Sequence, residues 1–523
     1  MDSLDKIPFL ESSSGHFNVE NSTNYLHMKC QRNSLLFLTT YSYHQITNRR
    51  LRVLFPFTNS FYCNDSLNSP ISAEDVQKIE EMIKSLIESN HQLEYATASK
   101  NDLLTYFEQR KQKDKLTHLN QSLSPDIVEC IKINDFLDLT YGIHYETDIS
   151  KLGDFRFLPF NNGFFLIFPH FLSDGSIQCQ VPKELEKVSK YVNWAIKNGF
   201  DSIENINNYI KSGKDINDID EKVQNYDLRN LNNISDTLMK EFPNRRVLAV
   251  SGSSSAGKST FSKLIKKHIE ENYGHEYECQ ILPMDDYFMN RDERPLDENG
   301  NIDYESMRVI HTGLLASRID DLLEGKPIPE RRYDYVDGIG NDIDSKITLQ
   351  KKGFLIVEGL HALNPEFLSK IKETNVMKIY ISPIAPLSID CEHSFDPHDV
   401  LLFRRILRDF NQRGTSPRDN IEIWPSVEAG SARYLLPLIE SADFYYTDQI
   451  VYELNAMQYA VSSLLKRYLD PVEKNPQVAK EVTAEVKRLS LILSLFEPLR
   501  TEDLPDRLLT KQLSFDTLNY LGE

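Results

Sequence analysis

Gly252-Ser253-Ser254-Ser255-Ala256-Gly257-Lys258-Ser259, followed by Thr260, is the stretch of this sequence with the clearest capacity for chemistry. Its glycines let the backbone turn so that several N–H groups face one anion. The apolar run Val247-Leu248-Ala249-Val250 supplies a buried strand before it. A helix beginning near Lys258 adds its positive dipole end. Lys258 is then placed to reach the β- and γ-phosphates of a nucleotide, and Ser259 to offer its hydroxyl to Mg²⁺. The pattern therefore implies ATP and Mg²⁺ as cofactors.

Two acidic positions extend this site. Met284-Asp285-Asp286-Tyr287-Phe288 follows a second strand expected over 278–282, at the carboxyl end where ligands collect in open α/β sheets. A carboxylate there can take a proton from an attacking hydroxyl or hold metal through water. On a blander reading it is a solvated pair in a loop. Glu358 ends the strand expected over 354–357. It is placed to bind Mg²⁺, or else to cap the next helix.

Arginines are the third element. In Phe403-Arg404-Arg405-Ile406-Leu407-Arg408-Asp409-Phe410-Asn411-Gln412-Arg413-Gly414, Arg404 and Arg408 stand i, i+4 and share a helix face. Guanidinium groups gathered in an acidic protein need an anionic partner. Phosphate under a closing lid is one, and Asp409 with neighbouring acids is the other.

The elements that must position these residues begin at Pro243. After it strands alternate with helices, the rhythm of a mainly parallel sheet with helices on both faces. A further strand is expected over 378–381. We read residues 1–34 as poorly structured, 35–190 as an α+β module, 191–242 as a helical connector, 243–470 as the phosphate-binding α/β domain, and 471–523 as a helical tail. Within the module, 71–90 has helical spacing with Ser72 as its cap, and 155–171 reads as strands.

The chain has 523 residues and a formal net charge of -19. That field disfavours nucleic acid and anionic membranes as partners. Its six cysteines stand singly, which suits a reducing, cytoplasmic setting better than a disulfide framework or a zinc knuckle. The N-terminus lacks the apolar core of a secretory signal.

From about Arg245 to Met457 the chain resembles the uridine kinases of the wider uridine kinase and phosphoribulokinase group. The resemblance rests on SGSSSAGKSTF, MDDYFMNRDERPLDENGNIDYES, RRYDYVDG, FLIVEGLHALNP, KIYIS, RRILRDFNQRG and ESADFYYT, in that order. It implies a P-loop fold and transfer of the ATP γ-phosphoryl to a nucleoside 5′-hydroxyl, uridine or cytidine, in pyrimidine salvage. It further implies Asp285 as the base, Lys258 and Arg408 as catalytic partners, and Ser259 and Glu358 as metal residues. Gly252 to Thr260, Arg404 and Arg413 would bind ATP. Asp303, Tyr333 and Arg405 would bind the acceptor, Asp303 at its ribose hydroxyls. Members often form homo-oligomers.

Two rivals differ in class. A sugar-phosphate kinase would need basic residues near Asp303, where 297–305 is acidic. A regulatory nucleotide-binding protein would need no intact Lys258, Ser259, Asp285 and Glu358.

The first half resembles the editing-type second domain of threonyl-tRNA synthetases, through RVLFPFTNSFYCND, ISAEDVQKIEEMIKSLIES and DLTYGIHYE. The metal-binding-like cluster of that fold falls at Tyr41, Gln45, Thr140 and His144. Only His144 keeps a metal-binding type, so the resemblance implies an accessory module without zinc.

Overall fold

The strands Val247–Ser251 and Phe354–Glu358 are buried along their whole length, as expected of strands covered on both faces. They sit at the centre of a five-stranded sheet in the order Cys279–Pro283, Phe354–Glu358, Val247–Ser251, Val376–Ile381, Phe444–Tyr446. Every pairing in it is parallel. The chain enters at the central strand and visits first one side, then the other. That makes the carboxyl end of Val247–Ser251 a topological switch point, where an open α/β sheet leaves a ligand crevice. The sheet is the P-loop-type α/β fold expected from the sequence, with helices packed against it.

These features come from a computed structural model that describes residues 19–57, 60–120, 125–171, 177–178, 185–296, 302–382, 387–447, 450–467 and 476–505. Among them no helix is long and apolar enough to cross a membrane. The described cysteines are free thiols.

The expected strands are found with their ends shifted by a residue or two. An antiparallel hairpin, Ile328–Asp334 with Ile339–Ile347, was not anticipated. Its strand Ile328–Asp334 alternates buried and exposed positions only loosely, because the hairpin projects from the sheet over the site. The edge strand Phe444–Tyr446 is only three residues long, too short to carry a periodicity signal.

The N-terminal half is α+β. An antiparallel sheet runs in the order Leu51–Phe57, Ser60–Asp65, Gly163–Ile167, Arg156–Phe160. A second joins Glu94–Ser99, Ile127–Ile133 and Phe136–Leu139. The helix Ala73–Glu88 begins where expected. Ser72 accepts a hydrogen bond from the Asp75 N–H at 3.0 Å, and Val76, Ile79, Ile83 and Leu86 form its buried stripe.

Two expectations need correction. Residues 19–34, read as poorly structured, belong to one long helix, Val19–Thr47; residues 1–18 lie outside the described residues. Its Ser- and Asn-rich start has little intrinsic preference for helix. Tertiary contacts supply what propensity lacks. Leu35, Phe37, Leu38, Tyr41 and Tyr43 enter the core of the N-terminal half, while Lys29 pairs with Asp396 and Glu428 of the other half. The run Leu35-Leu36-Phe37-Leu38, strand-like in isolation, is helical for the same reason.

The segment 191–242, read as a helical connector, is built of helices, and its last helix packs into the kinase core. Ile219, Val223, Leu231, Ile234 and Leu238 of the helix Asn217–Glu241 share one core with Phe261, Ile265 and Ile269 of the helix after the phosphate loop. The helix Pro476–Ser494 joins the same core through Val486, Leu489 and Leu493.

Candidate functional site

The phosphate loop leaves the central strand at Gly252. A Cβ there would stand 2.5 Å from the Ile381 carbonyl oxygen, so only glycine lets the neighbouring strand lie this close. At Gly257 the chain turns through φ +93° into the helix Lys258–Tyr273, a conformation that costs an L side chain about 1–2 kcal/mol. Lys258 Nζ donates to the carbonyls of Gly252 and Ser253 at 2.9 and 3.0 Å. Burial lowers its pKa, and the carboxylates of Asp285 and Glu358 act in the opposite sense. The lysine thus spans the mouth of the loop, with acidic groups close enough to influence its charge.

Ser259 and Glu358 are brought together. The Ser259 hydroxyl donates to Glu358 Oε1 at 2.7 Å. Glu358 is buried, and its Oε2 has no hydrogen-bond partner among the described residues. Burial raises its pKa, while the Ser259 hydrogen bond and Lys258 oppose the rise. A hydroxyl beside a buried carboxylate with one unmet oxygen is a hard-oxygen donor set that fits Mg²⁺. The strand places this acid, and no hydrogen bond here makes it a helix cap.

The Asp285–Asp286 pair divides its roles. Asp286 Oδ1 accepts from the Tyr333 N–H at 3.2 Å, fixing the hairpin, and burial raises its pKa. Asp285 accepts from the Tyr335 hydroxyl at 3.3 Å. Of the two, Asp285 is the carboxylate turned toward Lys258.

The arginines lie on the helix Pro397–Gln412 and just beyond it. Asp409 is their common anchor: Arg408 Nε lies 2.7 Å from its carboxylate, Arg405 Nε 3.4 Å and Arg413 Nη1 3.6 Å. One carboxylate cannot neutralise three guanidinium groups. Asp409 therefore organises a cluster that stays positive, and both partners considered from the sequence, phosphate and Asp409, have a place. Arg408 Nη2 is buried and has no hydrogen-bond partner among the described residues. Arg405 Nη1 donates to the Ser254 hydroxyl at 3.1 Å, so this arginine touches the phosphate loop. Arg413 stacks over the Tyr335 ring, 3.9 Å from its centroid.

Arg404 departs from the lid role. It is buried and forms a fork-on-fork ion pair with Glu453, which is itself buried. Its Nη1 donates to the Ser255 carbonyl at 3.3 Å. A buried pair of this kind cannot swing out without leaving Glu453 as an unpaired charge. Arg404 braces the loop's backbone from below, which its place on the arginine-rich helix did not reveal.

Asp303 is hydrogen bonded by the Tyr434 hydroxyl. Tyr333 is buried, its ring 5.6 Å from Phe288 and 5.3 Å from Tyr335, and Arg294 donates to its hydroxyl. Sequence reasoning missed Glu305. Its half-buried carboxyl lies within electrostatic reach of Arg405, Asp303, Asp285 and Lys258, and desolvation pushes its pKa up to about 7 against the pull of Arg405. Gly430 makes room for it: a Cβ at that position would stand 2.4 Å from the Glu305 Cβ. His361 Nε2 donates to the Glu305 carbonyl at 2.8 Å. The signal available was the proximity of Asp303 and Glu305 in Asp-Tyr-Glu-Ser, together with a glycine inside an otherwise regular helix.

A phosphate loop at the switch point, a hydrogen-bonded Ser259–Glu358 pair beside it, a carboxylate near the loop lysine and an arginine cluster together define a P-loop kinase domain. Residues 247–450 match the Phosphoribulokinase / Uridine kinase family. The uridine kinase of Ligilactobacillus salivarius (strain UCC118) is 27% identical over 229 residues, which is 44% of this chain and 94% of that protein. That of Anoxybacillus flavithermus (strain DSM 21510 / WK1) is 28% identical over 181 residues, 35% of this chain and 75% of that protein. A solved structure described as a possible uridine kinase from Bacillus stearothermophilus is 15% identical, covers 42% of this chain and 97% of that one, and superposes with a TM-score of 0.27.

Proposed function

We propose that the chain is an ATP-dependent nucleoside kinase that transfers the γ-phosphoryl to a nucleoside 5′-hydroxyl, with uridine and cytidine as acceptors. The observation that carries this reading is the grouping of Asp285, Asp303 and Glu305 opposite the phosphate loop. Carboxylates in this arrangement suit a neutral, polyhydroxylated acceptor and repel one that is already phosphorylated. The similar uridine kinases support the same acceptor class.

In this reading Asp285 takes the proton of the attacking hydroxyl. Asp303, held by Tyr434, and Glu305 accept hydrogen bonds from the ribose hydroxyls, and Tyr333 lines the base pocket. Lys258 and Arg408 stabilise charge on the γ-phosphoryl, Arg405 and Arg413 close over it, and Arg404 holds the loop in shape. Ser259 and Glu358 would hold Mg²⁺, which would supply neutralisation of the phosphate charge. The N-terminal half then acts as an accessory module. His144 keeps an exposed edge there, and partial desolvation lowers its pKa; Tyr41 and Gln45 offer no metal-binding partner of the kind a zinc site needs.

The test is direct: incubate the full chain with Mg-ATP and a panel of nucleosides and sugar phosphates, and separate the products. Nucleoside 5′-monophosphates formed from uridine and cytidine support the reading. Turnover of a sugar phosphate alone overturns the acceptor, and no turnover with any acceptor overturns the kinase.

A further inference from the structure

A cavity of about 230 Å³ lies between the N-terminal half and the kinase domain and touches the site described above only at Ser253 of the phosphate loop. On one side it is walled by the helix Val19–Thr47 and by His144 and Tyr145. The opposite wall comes from the start of the arginine-bearing helix, from the helix Pro417–Tyr434 and from Pro476–Ser494.

The wall's charges are largely matched in pairs. Lys29 Nζ stands 2.8 Å from Asp396 and 3.1 Å from Glu428. Arg488 is bidentate on Asp399 at 2.7 and 2.9 Å and also holds Glu485. A phosphorylated ligand would have to compete with these pairs, which a buried setting makes costly. Phe37, Phe61, Phe168, Tyr145 and Trp424 give the wall flat apolar surface. One acceptor in the wall is unmet among the described residues. Asp138 lines the cavity and is 1% exposed, Lys115 holds its Oδ1, and its Oδ2 has no hydrogen-bond partner among the described residues. Leaving such an atom unsatisfied is unfavourable, and a ligand donor would relieve it.

We propose that this cavity binds a phosphate-free planar heterocycle with N–H donors, a nucleobase or its nucleoside, and that its occupancy is felt in the acceptor pocket. Volume, aromatic walls, matched charges and one unmet acceptor all suit that class. The coupling runs through the helix Pro417–Tyr434, which both sites share. Trp424, Glu428 and Ser431 stand at i, i+4 and i+7 and face the cavity. On the adjoining face Asn420 holds Arg405 Nε at 2.9 Å, Gly430 backs Glu305, and Tyr434 holds Asp303. A ligand that shifts this helix moves acceptor groups directly.

The chain has two tryptophans, so Trp194→Phe leaves Trp424 as a fluorescent reporter in the cavity wall. The full chain carrying that change is titrated with uracil, cytosine, adenine, uridine and cytidine. Saturable quenching by at least one of them is expected. It should persist with Asp303→Ala, disappear with the cavity-filling Ser431→Phe, and weaken with Asp138→Asn, which serves if Ser431→Phe melts early. The free base should also change the acceptor KM by about fivefold or more. Quenching lost with Asp303→Ala but kept with Ser431→Phe would move the ligand to the acceptor pocket and overturn the proposal. So would the absence of quenching by every compound. An unchanged KM would overturn the coupling. The binding readout does not depend on the reaction proposed above, so the two readings fail separately.

Discussion

At the phosphate end of the site, the consecutive residues Gly252 to Ser259 supply the turn, the lysine and the metal hydroxyl. At the acceptor end, Asp285, Asp303, Glu305, Tyr335, His361 and Tyr434 come from separate segments that meet only in the folded chain. The phosphate end is fixed by backbone geometry, since Gly252 and Gly257 permit one path. The acceptor end is fixed by side-chain packing and shared hydrogen bonds. A backbone-built site should fail all at once when its one cation is lost. A packed site should fail in increments, one hydrogen bond at a time.

The largest effect is therefore expected for Lys258→Ala. Turnover should fall by orders of magnitude, while thermal melting stays close to that of the parent chain. Among the described residues the lysine bonds to carbonyls of its own loop, so its loss removes little packing. Activity near the parent level would break the contrast at its stronger end.

Next comes the carboxylate pair. Asp285→Asn should lower kcat by about 10²–10⁴-fold, the usual worth of a general base, with ATP affinity little changed. Asp286→Asn should act mainly on stability, because Asp286 anchors the hairpin through the Tyr333 N–H. Paired kinetics and melting curves separate the two; the reverse pattern would exchange their roles.

How much could be read beforehand follows the same division. The loop, its strands, Ser259, Glu358 and the arginine-bearing helix were legible because each signal lies within about a dozen residues. Glu305 was not, because what gives it meaning is Gly430 and His361, far away in the chain. Arg404 was misjudged because Glu453, its partner, lies on a different helix. The helix over 19–34 was missed since its stability comes from contacts with both halves of the molecule.

An intermediate effect is expected at Glu305. Its folded-state pKa, near 7, exceeds its ordinary value of 4.5, so the folded chain binds this proton more tightly than the unfolded chain. The resulting stability is fully present below about pH 4.5 and is lost as pH rises through about 7. Activity should follow the opposite course. The carboxylate form accepts ribose hydroxyls, so kcat/KM should rise as pH passes about 7. Glu305→Gln should flatten that rise and lower kcat/KM at pH 8 by roughly tenfold or more, the scale of a hydrogen bond to a charged group. Gly430→Ala should mimic it by displacing the carboxyl. A pH profile identical in Glu305→Gln and the parent would remove Glu305 from the acceptor pocket.

The smallest effect concerns base selectivity. Sequence resemblance places Gly338 where uridine kinases carry a histidine that reads the pyrimidine edge. In this chain Gly338 closes the hairpin turn with φ +74°, and a Cβ there would stand 2.8 Å from Arg291 Nε. The turn itself therefore requires glycine, and the missing donor cannot be restored by simple replacement. One absent hydrogen bond to a neutral group changes selectivity by up to about tenfold. Comparison of kcat/KM for uridine, cytidine, adenosine and guanosine should accordingly show a shallow preference. A preference of about a thousandfold would exceed this and assign base reading to another residue, with Tyr335, whose hydroxyl meets Asp285, the first to replace by phenylalanine. Gly338→His should not sharpen selectivity; it should cost about 1–2 kcal/mol of stability through its left-handed backbone and shift the hairpin that carries Tyr333. Sharpened selectivity with an unchanged melting temperature would show instead that the hairpin yields to a side chain, and that the acceptor end is softer than its packing implies.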